Sequence, residues 1–260
     1  MHKFNSDGVE IAYEVTGEGE PVILIHGFAS NARVNWRDTG WVKTLAEAGR
    51  RVVVMDNRGH GQSQKLYDPA FYAAPEMAED ARRLLDHLGI GRADVMGYSM
   101  GARIAAFLAL AHPSRVRKAV FAGLASRMIT GVGGAEAIAR ALEAPDAASV
   151  TDAGARAFRF FAEQTRSDLR ALAACIRSSR ERISAVELGG ISVPVLVVAG
   201  EKDEIAGDVE TLVSAIPGAR GVVLPNRNHM NAVGDRGYKE AVVAFLEDRL
   251  LPVVKPGTTR

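Results

Sequence analysis

Six segments of the chain carry the branched and apolar runs of strands buried on both faces. They lie at residues 21–25, 51–55, 93–96, 116–121, 193–199 and 221–224. Ahead of them, residues 3–5 and 9–15 alternate apolar with polar positions across the turn pair Asp7-Gly8, the pattern of an antiparallel hairpin. Between the strands the spacing becomes helical. Trp41, Val42, Leu45, Ala46 and Ala48 form one stripe, and Met77, Ala81, Leu84, Leu85 and Leu88 a second, opened by Pro75 near a favoured first helical position. Residues 99–111, closed by Pro113, and 238–250 supply two more. Strands alternating with helices predict an α/β fold around a mostly parallel sheet. Residues 124–187 break the alternation. Phe158, Phe161 and Ala162 share one face there, and Leu169, Leu172, Ala173 and Ile176 another, so a helical insertion between two strands is expected.

Composition narrows the classes. A chain of 260 residues allows one large domain, or one domain with an insertion, and should bury roughly 70–75% of its unfolded surface without a disulfide or metal. The net charge is +1, and the 25 Arg and 7 Lys are scattered rather than clustered, which argues against a nucleic-acid partner. The lone cysteine, Cys175, excludes an intramolecular disulfide and is expected to be a small buried apolar residue rather than a reactive thiol. The first residues lack the apolar core of a signal peptide, and no apolar run approaches the ~20 residues of a membrane span. A cytoplasmic protein without a membrane span is therefore expected. The polar tail at 255–260 is expected to fray.

Gly97-Tyr98-Ser99-Met100-Gly101 fits Gly-x-Ser-x-Gly and stands between a predicted strand and a predicted helix, the setting that pattern needs. A nucleophile on so tight a turn requires neighbours without a Cβ, and the helix behind it turns free N–H groups toward developing negative charge. A serine hydroxyl needs a base, most often histidine. Open α/β sheets place their sites at the carboxyl ends of strands, which favours His26, His60 and His229 among the six histidines. The same criterion applied to acids selects Asp203, directly after the strand at 193–199.

At this point the residues match a known pattern. His26-Gly27-Phe28, Asp56-Asn57-Arg58-Gly59-His60-Gly61-Gln62-Ser63, the Ser99 pentapeptide, His112-Pro113-Ser114-Arg115-Val116, Gly200-Glu201-Lys202-Asp203 and Asn228-His229 resemble, in order and spacing, the α/β-hydrolase superfamily over nearly the whole chain. The resemblance implies that Ser99 is the nucleophile, His229 the general base and Asp203 the residue that orients it. It implies an oxyanion hole made of the backbone N–H groups of Phe28 and Met100, and structural roles for His26 and His60. The sequence departs from the family where Asn228 replaces the usual Gly before the histidine, and where no Pro follows the Asp203 segment. No ligand-spaced His/Cys/Asp cluster and no dinucleotide fingerprint occurs, so neither metal nor cofactor is expected.

A serine sets the chain apart from the superfamily's Asp-nucleophile branches, and Phe28-Ala29 from its peroxidase-like branch, which often has Pro or Trp there. The resemblance gives residues 1–123 and 188–260 as the hydrolase core and 124–187 as a helical cap. Phe28, Met128, Ile129, Phe158, Phe161 and Ile176 are candidates for the pocket wall, and Arg159 for contact with a substrate carboxylate. The expected function is hydrolysis of small carboxylic esters through an acyl-enzyme. The alternatives are a lactone (enol-lactone-like) or carbon–carbon bond hydrolase and, in a different class, a non-catalytic small-ligand receptor. Monomer and homodimer are both compatible with the sequence.

Overall fold

The computed structural model describes residues 1–252 and contains one eight-stranded sheet. Its strands are β1 (His2–Ser6), β2 (Val9–Thr16), β3 (Glu20–Ile25), β4 (Arg50–Met55), β5 (Ala93–Tyr98), β6 (Val116–Ala122), β7 (Val195–Gly200) and β8 (Arg220–Leu224). The spatial order is β1-β2-β4-β3-β5-β6-β7-β8. β1 and β2 form the antiparallel hairpin, β2 runs antiparallel to β4, and every later pairing is parallel. The sheet is thus mostly parallel, as the pattern predicted. The tail at 255–260 lies outside the described residues.

Alternation along each strand builds two cores. In β3, Ile23 and Ile25 face one side, and Val22 and Leu24 the other. The first side is covered by α2 (Ala74–His87), α3 (Met100–Ala111) and α9 (Val209–Ala215) through Leu84, Ile104 and Leu212. The second is covered by α1 (Trp41–Glu47) and α10 (Arg236–Leu246) through Trp41, Leu45, Tyr238 and Phe245. Each such side chain contributes about 1.5–3 kcal/mol by leaving water.

Two of the boundaries that differ from the sequence reading have a clear cause. β5 continues to Tyr98 because Gly97 and Tyr98 pair with Phe121 and Ala122 of β6. Ser99 therefore leaves the sheet with no intervening loop. α10 starts at Arg236 on an Asp235 cap and stops at Leu246, since Asp248 turns to φ 58° and the Arg249 N–H closes back on the Ala244 carbonyl.

Between β6 and β7 the chain forms α4 (Arg127–Thr130), α5 (Ala135–Glu143), α6 (Ala153–Gln164), α7 (Leu169–Ser178) and α8 (Ala185–Leu188). Asp152 and Asp168 cap α6 and α7, accepting from Ala155 N and Ala171 N at 2.7 and 3.0 Å. α5 packs against both. Arg159 is buried within this layer. It donates to the carbonyls of Ala141, Leu142 and Ala144 at 2.9–3.1 Å and to Glu163 at 2.7 Å. This corrects the expectation that it meets a substrate carboxylate: its donors already close the C-terminus of α5. No helix among the described residues is long and apolar enough to cross a membrane.

Candidate active site

The carboxyl ends of β3, β5, β7 and β8 lead directly into the segments that carry Phe28, Ser99, Asp203 and His229. Ser99 has φ 55° and ψ −112°, a conformation that costs an L-residue about 1–3 kcal/mol. The surrounding chain leaves it no choice. A Cβ at Gly97 would overlap the Gly101 carbonyl, and one at Gly101 would overlap the Ile25 carbonyl. Both glycines of the pentapeptide are there so that the turn, the helix and β3 can touch.

His229 Nε2 lies 3.1 Å from Ser99 Oγ, and His229 Nδ1 lies 2.9 and 3.0 Å from the two Asp203 carboxylate oxygens. With Nδ1–H donating to the carboxylate, Nε2 is the acceptor that faces the serine hydroxyl. Asp203 Oδ1 also accepts from Ile205 N at 3.1 Å and Ala206 N at 2.9 Å. The Asp203 side chain is 0% exposed and that of His229 15% exposed, so the acid is sealed and the imidazole opens to the site. Asn228 has a local role that explains its place before the histidine. Its Oδ1 accepts from Met230 N and Asn231 N at 3.0 Å, and its own N–H donates to Asn231 Oδ1 at 2.7 Å.

His26 braces the loop that carries Phe28. Its Nε2 accepts from Asn57 N at 3.0 Å and its Nδ1–H donates to the Gly27 carbonyl at 2.7 Å, which fixes the neutral tautomer. Burial lowers its pKa to about 4. His60 is buried beside it, with Nδ1 2.9 Å from the Arg58 carbonyl, and burial together with His26 lowers its pKa to about 3. Neither ring hydrogen-bonds Ser99. The Phe28 N–H has no acceptor among the described residues, and Met100 opens α3, where the N–H has no intrahelical partner. Both N–H groups are thus available beside Ser99.

Ser99 and His229 line a cavity of about 470 Å³. Phe28, Phe158 and Phe161 of the expected wall are in it, and Ile176 lines a smaller neighbouring cavity together with Phe28, Ser99 and Phe158. Met128 and Ile129 line neither, which corrects the expectation: the short turn of α4 tucks Met128 fully into the core and packs Ile129 against it. The sequence reading missed Phe160, Ile205 and Met230 in the wall, and Asn35. Asn35 sits in a single π-helical turn, Arg33–Arg37, and its Oδ1 accepts from Gly27 N at 3.1 Å while its buried Nδ2 has no partner. A π turn at a site is a signal of function, but it is not visible before the backbone is. Cys175 is fully buried, and burial pushes its thiol up to about 12.

The alpha/beta hydrolase fold family matches residues 20–154, and the chain belongs to that family. Among solved structures it is similar to a hydrolase from Pseudomonas aeruginosa PA01, with TM-score 0.79 and 26% identity over 94% of this chain and 97% of that one. It is also similar to a thermophilic esterase from Thermogutta terrifontis, with TM-score 0.74 and 25% identity over 95% and 96% of the two chains. Among curated proteins it is 36% identical to the non-heme chloroperoxidase CPO-A1 of Kitasatospora aureofaciens over 115 residues, 44% of this chain and 40% of the relative. The matched stretch spans about two-fifths of that relative's length. That likeness runs toward the branch from which Phe28-Ala29 was expected to separate the chain.

Proposed function

We propose that the protein is a serine hydrolase of small carboxylic esters. The observation that carries this is the continuous line from Asp203 through His229 to Ser99, at 2.9 and 3.1 Å, ending on a strained turn at the floor of an apolar cavity. In this reading His229 Nε2 takes the Ser99 proton as Oγ attacks the acyl carbon. Asp203 holds the imidazole's orientation and stabilises its charged form. The Phe28 and Met100 N–H groups receive the oxyanion, each worth about 3–4 kcal/mol in the transition state. His229 then returns the proton to the leaving alcohol, an acyl-serine forms, and a water activated by the same imidazole releases the acid. The helices between β6 and β7 serve as a lid that shapes the cavity and sheds water.

The test is hydrolysis of p-nitrophenyl esters from acetate to laurate by the wild type and Ser99→Ala. The expected result is a loss of roughly 10⁴-fold or more in kcat for the variant. Ester turnover retained by Ser99→Ala sinks the proposal. No turnover on any ester, with a fluorophosphonate still labelling Ser99, moves the substrate to a lactone or a carbon–carbon bond. Failure to label as well moves the protein to a small-ligand receptor.

A further inference from the structure

Ser99 also lines a second cavity of about 30 Å³, together with Phe28, Met100, Arg103, Ser179 and Arg180, among others, and His229 is not in its wall. That is room for one or two waters or a single small polar group. Two arginines stand in its wall. Arg103 is only 2% exposed. Its Nη1 donates to the Glu181 carbonyl, and its other N–H groups have no acceptor among the described residues. Arg180 donates from Nη1 to the carbonyls of Val132, at 3.1 Å, and Gly133. Neither guanidinium has a carboxylate within ion-pair distance among the described residues, whereas the buried Arg58 and Arg159 are each paired with an acid. The one acid nearby, Glu181, accepts from Ala74 N at 3.1 Å with one oxygen and leaves the other buried without a partner.

A buried cation without a counter-ion is costly, and proteins normally pair it. Here the buried Arg103 and the half-buried Arg180 flank one cavity lined by Ser99, and burial lowers both, each to about 10. For Arg103 the nearby Glu181 offsets part of that cost and Arg180 adds to it. A bound carboxylate relieves both penalties at once, and a planar guanidinium suits its geometry.

We propose that Arg103 and Arg180 form a carboxylate subsite and that the substrate is a half-ester of a short dicarboxylic acid. This rests on the serine acyl-transfer reading given above. The direction of the substrate follows from His229. That ring lines the large cavity and not the small one, and it must reach the leaving oxygen. The alcohol therefore occupies the large cavity, and only the free carboxylate end of the acyl group reaches the small one. Arg103 follows Ser99 by one helical turn, its N–H donating to the Ser99 carbonyl at 3.3 Å. A cavity this small limits the spacer between the ester carbonyl and the free carboxylate to a short one, as in succinate.

The test compares ethyl butyrate with monoethyl succinate, which share a leaving group and differ at the far end of the acyl chain. The expected wild-type kcat/KM favours the half-ester by about tenfold or more, and the ratio falls by about tenfold in Arg103→Met and in Arg180→Met. Arg103→Lys restores part of it. A wild type that prefers ethyl butyrate, or a ratio indifferent to both substitutions, overturns the subsite. Arg103 also braces the Glu181 carbonyl, so if Arg103→Met does not fold, the wild-type ratio and Arg180→Met carry the test alone. If neither ester turns over, it is the ester reading that fails, separately from the subsite. Calorimetric titration of Ser99→Ala with monoethyl succinate then decides the subsite. Binding that is lost when Arg180→Met is added supports it, and absence of binding overturns it.

Discussion

The Tyr98 hydroxyl donates to the main-chain carbonyl of His229 at 2.5 Å, with the two rings 5.4 Å apart. Tyr98 ends β5 and precedes Ser99, so one strand end holds both the serine and the backbone of the imidazole facing it. Burial, with Asp203 adding to it, raises the phenol well above its ordinary pKa, which keeps it a donor. Tyr98→Phe removes only that hydroxyl. A net hydrogen bond is worth about 1 kcal/mol, so the melting temperature should fall by about 2–4 °C. The looser histidine should lower kcat about fivefold with little change in KM. Unchanged kcat on p-nitrophenyl acetate would show that this bond positions nothing.

Gly101 tests the crowding beneath the serine. A Cβ there meets the carbonyls of Ile25 and His26, both backbone and neither free to move without shifting the end of β3. Gly101→Ala should therefore cost about 1–3 kcal/mol in urea unfolding. It should also cost about 100-fold in ester turnover, because the loop carrying Phe28 moves relative to Ser99. Gly133→Ala is the control, since nothing lies within 4 Å of a Cβ at that position. If the two variants behave alike, close approach is not why Gly101 is glycine.

Much of this was legible in the sequence, for identifiable reasons. Parallel strands buried on both faces announce themselves as short Val- and Ile-rich runs, and Ser99, Asp203 and His229 each follow such a run closely. What the sequence hid depends on how helices are rotated. Met128 and Phe158 are both apolar residues of the same helical insertion, yet packing of the short α4 turn sends one into the core while α6 presents the other to the cavity. Arginine was the least legible of all. With 25 in the chain, nothing in the order of residues separates Arg159, whose donors are filled by α5, from Arg103, which lines a cavity. Pairing is a property of the folded arrangement.

The two buried histidines make a prediction about acid. His26 and His60 are held neutral, with pKa values near 4 and 3 instead of the ordinary 6.5, because burial penalises the imidazolium. Between pH 6.5 and 4 the unfolded chain therefore binds protons on these rings that the folded chain does not. Stability falls as pH falls through that window, by roughly 3 kcal/mol for each ring if they acted independently. They do not, since each lies 5.1 Å from the other. His60 has the more expendable ring: its Nε2 is buried without a partner, and its Nδ1–H reaches only the Arg58 carbonyl. His60→Gln keeps a donor for that carbonyl and removes the titration. Urea midpoints at pH 7, 5.5 and 4.5 should decline less steeply in the variant than in the wild type. Parallel declines would mean that His60 is not held neutral by burial, and the acid sensitivity would then belong to His26 and the carboxylates.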